Sequence, residues 1–181
     1  KLQIDTAYSE MLRLTEEQYD VLASIDENKR AFVYGAAGTG KSLLAVEKLR
    51  QNVVKNRKCA YICFNKNMAA YVEQNVGAPG ESFIGTYHSL LGKYINDSHE
   101  LNVEELNDRF LAMQDCEVGK FEMLIIDEAQ DILSQKTIKC LEKFIEGGMD
   151  RGEWILFADP NQDIFMKGEN YAATVSFLKD T

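Results

Sequence analysis

A chain of 181 residues, 45% apolar and 27% charged, suffices for one domain with a true core, since that length buries about 70% of the surface its unfolded form exposes. No apolar run approaches the roughly 20 residues of a membrane span, so no membrane role is expected. The net charge of −9 argues against a strong stand-alone nucleic-acid binder, which would carry a basic face, but leaves room for a groove of local positive charge.

In chain order, apolar runs alternate with helix-like stretches, the pattern of a mostly parallel sheet covered on both faces. The spacing predicts helices over residues 15–27, 41–55, 66–75, 86–96, 134–146 and 171–178, and five strands over 31–34, 59–64, 82–85, 122–126 and 153–158. Thr15 and Gln18 form a T-x-x-Q capping box for the first helix. The Gln18 amide could equally pair with the donor and acceptor of adenine's edge, and the residues alone leave both readings open. Residues 97–118 carry seven acids against Arg109 alone, with Leu101, Val103, Leu106, Phe110, Leu111 and Met113 spaced for an amphipathic helix. They read as a small acidic helical insertion in a single domain spanning 1–181. The chain starts at Lys1, without Met, and reads as an excised piece of something longer.

Cys59, Cys63, Cys116 and Cys140 form no CxxC pair, and neither His88 nor His99 completes a zinc pattern. They read as buried, reduced core thiols, which fits a cytoplasmic protein.

Two stretches carry the chemistry. Residues 35–42, GAAGTGKS, follow the first strand and open a helix, with the spacing GxxxxGK[ST] of a phosphate-cradling loop. Gly35, Gly38 and Gly40 let the backbone wrap closely with Thr39 between them, and the helix adds its free N–H groups and positive dipole end. Lys41 supplies charge for the β- and γ-phosphates, and Ser42 a hydroxyl for Mg²⁺. The fourth strand ends in Asp127-Glu128-Ala129-Gln130-Asp131. Asp127 is placed to hold Mg²⁺ and Glu128 to deprotonate the attacking water. Together they indicate ATP or GTP with Mg²⁺, and hydrolysis over transfer to a small acceptor.

Three further strand ends carry polar or aromatic residues where open α/β sheets bind ligands: Phe64-Asn65-Lys66-Asn67, Gly85-Thr86-Tyr87-His88 and Asp159-Pro160-Asn161-Gln162. Singly, each reads first as a helix cap. In order, the series LTxxQ, GxxGxGKS, FNKNMA, GTYHSL, LIIDEAQD and ADPNQ resembles the superfamily 1 helicases of the UvrD/Rep type, from about Leu14 to Phe165. The resemblance implies a three-layer, RecA-like P-loop NTPase domain and a DNA-stimulated ATPase. It implies that Gln18 reads adenine, that Gln130 and Gln162 sense the γ-phosphate and couple it to DNA, and that Gln162 joins Lys41 and Glu128 in catalysis. Phe64, Asn65, Thr86, His88 and Phe165 are implied to touch single-stranded DNA.

The chain departs from that pattern at named places. Ala158 stands where a glycine is expected, and Lys167-Gly168 where a base-stacking Trp-Arg pair would be. Only 38 residues lie between His88 and Asp127, too few for a large DNA-gripping subdomain. No arginine-bearing second RecA-like domain follows within the 181 residues. Such arginines can be worth 10³ or more in rate, so this fragment is expected to bind nucleotide and turn it over poorly. The rival readings are a phosphate-loop switch that regulates a protein partner without DNA, and a nucleotide-dependent kinase.

Overall fold

The computed structural model describes residues 14–77, 80–113, 117–159 and 161. The expectations for Cys116, Gln162, Phe165 and the helix over 171–178 lie outside the described residues.

Local signals set the element starts. Helix α1, Glu16–Asp26, begins with the expected capping box: Gln18 N donates to Thr15 Oγ1 and Thr15 N to Gln18 Oε1. Strand β1, Arg30–Tyr34, leads through the glycine loop into α2, Lys41–Val54. Strand β2, Cys59–Cys63, leads to α3, Lys66–Val76, which Asn65 caps through Asn67 N. Strand β3, Phe83–Thr86, passes directly into α4, Tyr87–Leu91, with Thr86 and Ser89 as a reciprocal cap. Asn102 and Glu105 box the start of α5, Val103–Ala112. Strand β4, Met123–Ile126, precedes α6, Gln135–Glu142; α7, Gly148–Arg151, precedes β5, Glu153–Ala158.

The five strands are all parallel, in the order β1-β5-β4-β2-β3. Alternate side chains point to opposite faces, and this divides the core in two. Ala60, Ile62, Leu124, Ile126, Trp154 and Leu156 pack with Tyr87, Leu90, Phe110, Ile138 and Leu141 from α4, α5 and α6. Cys59, Tyr61, Cys63, Ile125, Ile155 and Phe157 pack with Leu22, Ile25, Leu44, Leu49, Ala69 and Val72 from α1, α2 and α3. Central strands are therefore apolar on both faces, and a one-residue slip would exchange the two sets. The result is a three-layer α/β domain whose strand ends all open at one edge.

Two helices stop four or more residues before their predicted ends. The fourth was expected to reach 96 but ends at Leu91, where the chain turns back and His88 Nε2 meets Ser98 O at 2.6 Å. A Cβ at Gly92 would lie 2.7 Å from Ser98 Oγ and 3.1 Å from His88 O, so a side chain there would displace Ser98 from this close return. The fifth predicted helix, observed as α6, was expected to reach 146 but ends at Glu142. Residues beyond it pair with the segment before β4, through Phe121 N to Phe144 O at 2.7 Å and Glu146 N to Phe121 O at 2.9 Å. Tertiary pairing overrode helix propensity there. Within 97–118 the chain forms a 3₁₀ turn, Ser98–Glu100, and then α5, whose Leu106 and Phe110 enter the core. Lys136 on α6 pairs with Glu104 and Asp108 on the acidic face of α5. Cys59, Cys63 and Cys140 are buried free thiols, as expected of core residues.

Candidate nucleotide site and adjoining groove

The glycine loop rises from β1 and is tied to the neighbouring strand by Gly35 N to Ala158 O, 3.2 Å. Gly38 and Gly40 lie at φ +80° and +87°, in the left-handed region that costs other residues about 1–2 kcal/mol. A Cβ at Gly40 would stand 2.2 Å from Gln18 Nε2. Gln18 thus reaches from α1 onto the loop, where Nε2 donates to Thr39 O at 3.2 Å while Oε1 accepts Thr15 N at 3.0 Å. Both the capping role and the loop contact are present. Lys41 is buried at the start of α2, and its ammonium donates to Gly35 O and Ala36 O at 2.9 and 3.1 Å. Those carbonyls satisfy a cation that a phosphate oxygen could satisfy more strongly.

Asp127 directly follows β4 and is 1% exposed. Its Oδ1 accepts Glu128 N at 3.1 Å, its Oδ2 accepts the Tyr61 hydroxyl at 3.2 Å, and the Ser42 hydroxyl faces it. Burial pushes the Asp127 carboxyl above the ordinary carboxylate range and the Glu128 charge adds to this, while the two hydroxyls oppose it. Burial also pushes the Tyr61 phenol well up, so it stays a neutral donor. Ser42 and Asp127 together offer hard oxygen ligands beside the phosphate loop. Mg²⁺ is normally held by one or two carboxylates plus substrate phosphates, so this sparse set fits it. Among the described residues no group of three or more His, Cys, Asp or Glu could hold a metal.

Glu128 sits at φ 53°, ψ 51°, a left-handed conformation uncommon for glutamate. Strain of this kind persists where the surroundings impose it and clusters at functional sites. Two contacts impose it here: Gln130 Nε2 donates to Glu128 Oε2 at 2.6 Å, and Asp131 N to Glu128 O at 3.0 Å. Gln130, 1% exposed, turns its other amide atom to β5, where Oε1 accepts Asp159 N at 3.0 Å. One buried amide therefore connects the candidate base to the end of the strand beside the phosphate loop.

Beyond β2 and β3 the same edge opens into a groove of about 320 Å³ lined by Phe64, Lys66, Thr86, His88, His99, Val103, Asp131 and Ile132, among others. Phe64 is 63% exposed at its rim. The structure brings Phe64, Thr86 and His88 together, while Asn65 serves as the α3 cap. The Thr86 hydroxyl is engaged by Ser89 N, and one nitrogen of the His88 ring by Ser98 O. Sequence reasoning missed four residues. His99 and Val103, from the acidic stretch, and Asp131 line the groove through tertiary packing. Tyr61 was hidden in an apolar run, its one signal a polar-tipped side chain within a buried strand.

Fold and site together define a phosphate-loop-type domain of the RecA-like α/β class. Residues 28–179 match the family model of the Schlafen group 3 DNA/RNA helicase domain, and the chain belongs to that family. Among solved structures, it is similar in fold to a Pif1 chain from work on DNA unwinding at forked double-stranded DNA by two coordinating Pif1 helicases. The TM-score is 0.50, with 20% identity over 93% of this chain and 38% of that one. The Pif1 helicase from Candida albicans matches at TM-score 0.43 and 22% identity, over 81% of this chain and 32% of its own. The chain thus spans well under half of either structure. No curated protein matches it in sequence. No helix among the described residues is long and apolar enough to cross a membrane.

Proposed function

We propose that this chain is the ATP-binding half of a nucleic-acid-stimulated motor, a helicase or translocase on single strands, hydrolysing ATP with Mg²⁺. The observation that carries the reading is the Gln130 bridge. It ties the candidate base Glu128 to the end of β5, at the edge where the phosphate loop and the aromatic groove also open. Lys41 and the loop amides hold the phosphates, Ser42 and Asp127 hold Mg²⁺, and Glu128 takes the proton of the attacking water. Gln18 reads adenine by giving up Thr39 O. Gln162 and Phe165 are assigned by resemblance to γ-phosphate sensing and base contact. A second RecA-like domain would close over the nucleotide and supply further cations.

Phe64 offers a stacking face to a single-stranded base, worth about 1–3 kcal/mol. The test is to titrate ATPase of the longer protein with single-stranded DNA and, separately, RNA. Phe64→Ala should raise the half-stimulating strand concentration by about 5- to 150-fold and leave strand-free ATPase near wild type. ATPase indifferent to both nucleic acids would favour a nucleotide switch acting on a protein partner. Equal loss of stimulated and unstimulated rates would make Phe64 a packing residue.

A further inference from the structure

Tyr61 lies in mid-β2, fully buried on the face covered by α1, α2 and α3. Its register partner on β4 is Ile125, and Asp127 follows two residues later, on the same face. The phenol ring spans that diagonal and donates to Asp127 Oδ2 at 3.2 Å. A buried hydroxyl is costly without a partner, and packing alone would be served as well by phenylalanine. The carboxylate is held from two sides, Oδ2 by the phenol of β2 and Oδ1 by Glu128 N at 3.1 Å. Ser42 faces it from the phosphate loop. A neutral donor fixes the carboxylate's rotation without neutralising the charge that a cation requires.

We propose that Tyr61 is a positioning residue for Mg²⁺, holding Asp127 in the orientation in which it and Ser42 share the ion. The inference rests on the assignment of Asp127 and Ser42 to Mg²⁺. Outer partners of metal-binding side chains typically change metal affinity 10- to 100-fold.

The test is calorimetric ADP binding by the full chain, with and without Mg²⁺, for wild type, Tyr61→Phe, Asp127→Asn and the double variant. Tyr61→Phe should leave metal-free ADP affinity within about twofold and raise the half-saturating Mg²⁺ concentration about tenfold. In the Asp127→Asn background it should add no further shift. Tyr61→Met, a flexible apolar side chain without a donor, should repeat the result, so failure of one variant to fold leaves the test intact. Overlapping Mg²⁺ titrations for wild type and Tyr61→Phe would overturn the proposal. So would equal losses of ADP affinity with and without Mg²⁺, or an undiminished shift in the Asp127→Asn background. An Asp127→Asn protein with a wild-type Mg²⁺ response would instead overturn the metal assignment itself.

Discussion

Replacing Gln130 with methionine keeps the volume of a buried side chain and removes its hydrogen bonds to Glu128, Asp131 and Asp159. The larger loss is at β5. Asp159 is 1% exposed and its N–H donates to Gln130 Oε1 at 3.0 Å. Without an acceptor that buried donor costs about 1–3 kcal/mol. The bond to Glu128, 2.6 Å long, involves a charge, but Glu128 is half-buried and water can take over part of its role, so about 1 kcal/mol is assigned there. The total is about 2–4 kcal/mol. For a domain of this size each kcal/mol shifts the melting midpoint by about 2–4 °C, which predicts a fall of about 4–16 °C in a thermal melt of the nucleotide-free chain. Gln130→Glu retains the acceptor for Asp159 but sets a like charge beside Glu128, so it should melt lower at neutral pH and recover as the carboxylates are protonated. A Gln130→Met protein melting within about 2 °C of wild type, less than the smallest shift worked out above, would refute the claim that this amide joins the two strand ends.

The remaining predictions concern the phosphate loop, the base and the thiols. Lys41→Ala should weaken ADP-Mg²⁺ or ATP-Mg²⁺ binding about tenfold or more, since charge-assisted hydrogen bonds are worth about 1.5–3 kcal/mol; equal calorimetric affinities would remove the loop assignment. Glu128→Gln in the longer protein should keep nucleotide binding and lower single-turnover hydrolysis by about 10²–10⁴, whereas a loss of a few-fold would exclude Glu128 as the base. Burial pushes the Cys59 and Cys63 thiols up to about 11 from 9.0. Folding therefore disfavours their thiolates: the stability they contribute is full below about pH 9 and is lost as pH rises toward about 11. Thiol reagents at about pH 8, below the ordinary thiol range, should accordingly spare both residues until the protein is unfolded by denaturant, and rapid labelling of the native chain would contradict their burial.

The sequence by itself determined those features whose physics is local. The glycine loop was legible because glycines that take positive φ stand contiguous with the residues that open the following helix. Thr15 and Gln18 announced the α1 cap because both partners lie within one turn. The strands were legible from apolar runs, as parallel strands buried on both faces must be. Other features only the tertiary structure decided. Helix α4 stops at Leu91 where the chain folds back to bring Ser98 O onto His88, with Gly92 leaving room for Ser98, and α6 stops at Glu142 because Phe121 competes for the backbone groups beyond it. No propensity encodes either competitor. The acidic stretch could be read as amphipathic, but that His99 and Val103 wall the groove beside Phe64 follows only from where α5 packs. Tyr61 and Asp127 are 66 residues apart and meet because β2 and β4 are hydrogen-bonded neighbours in a fixed register. Strand order depends on which apolar faces fit together, a property of the assembled sheet that no single strand carries.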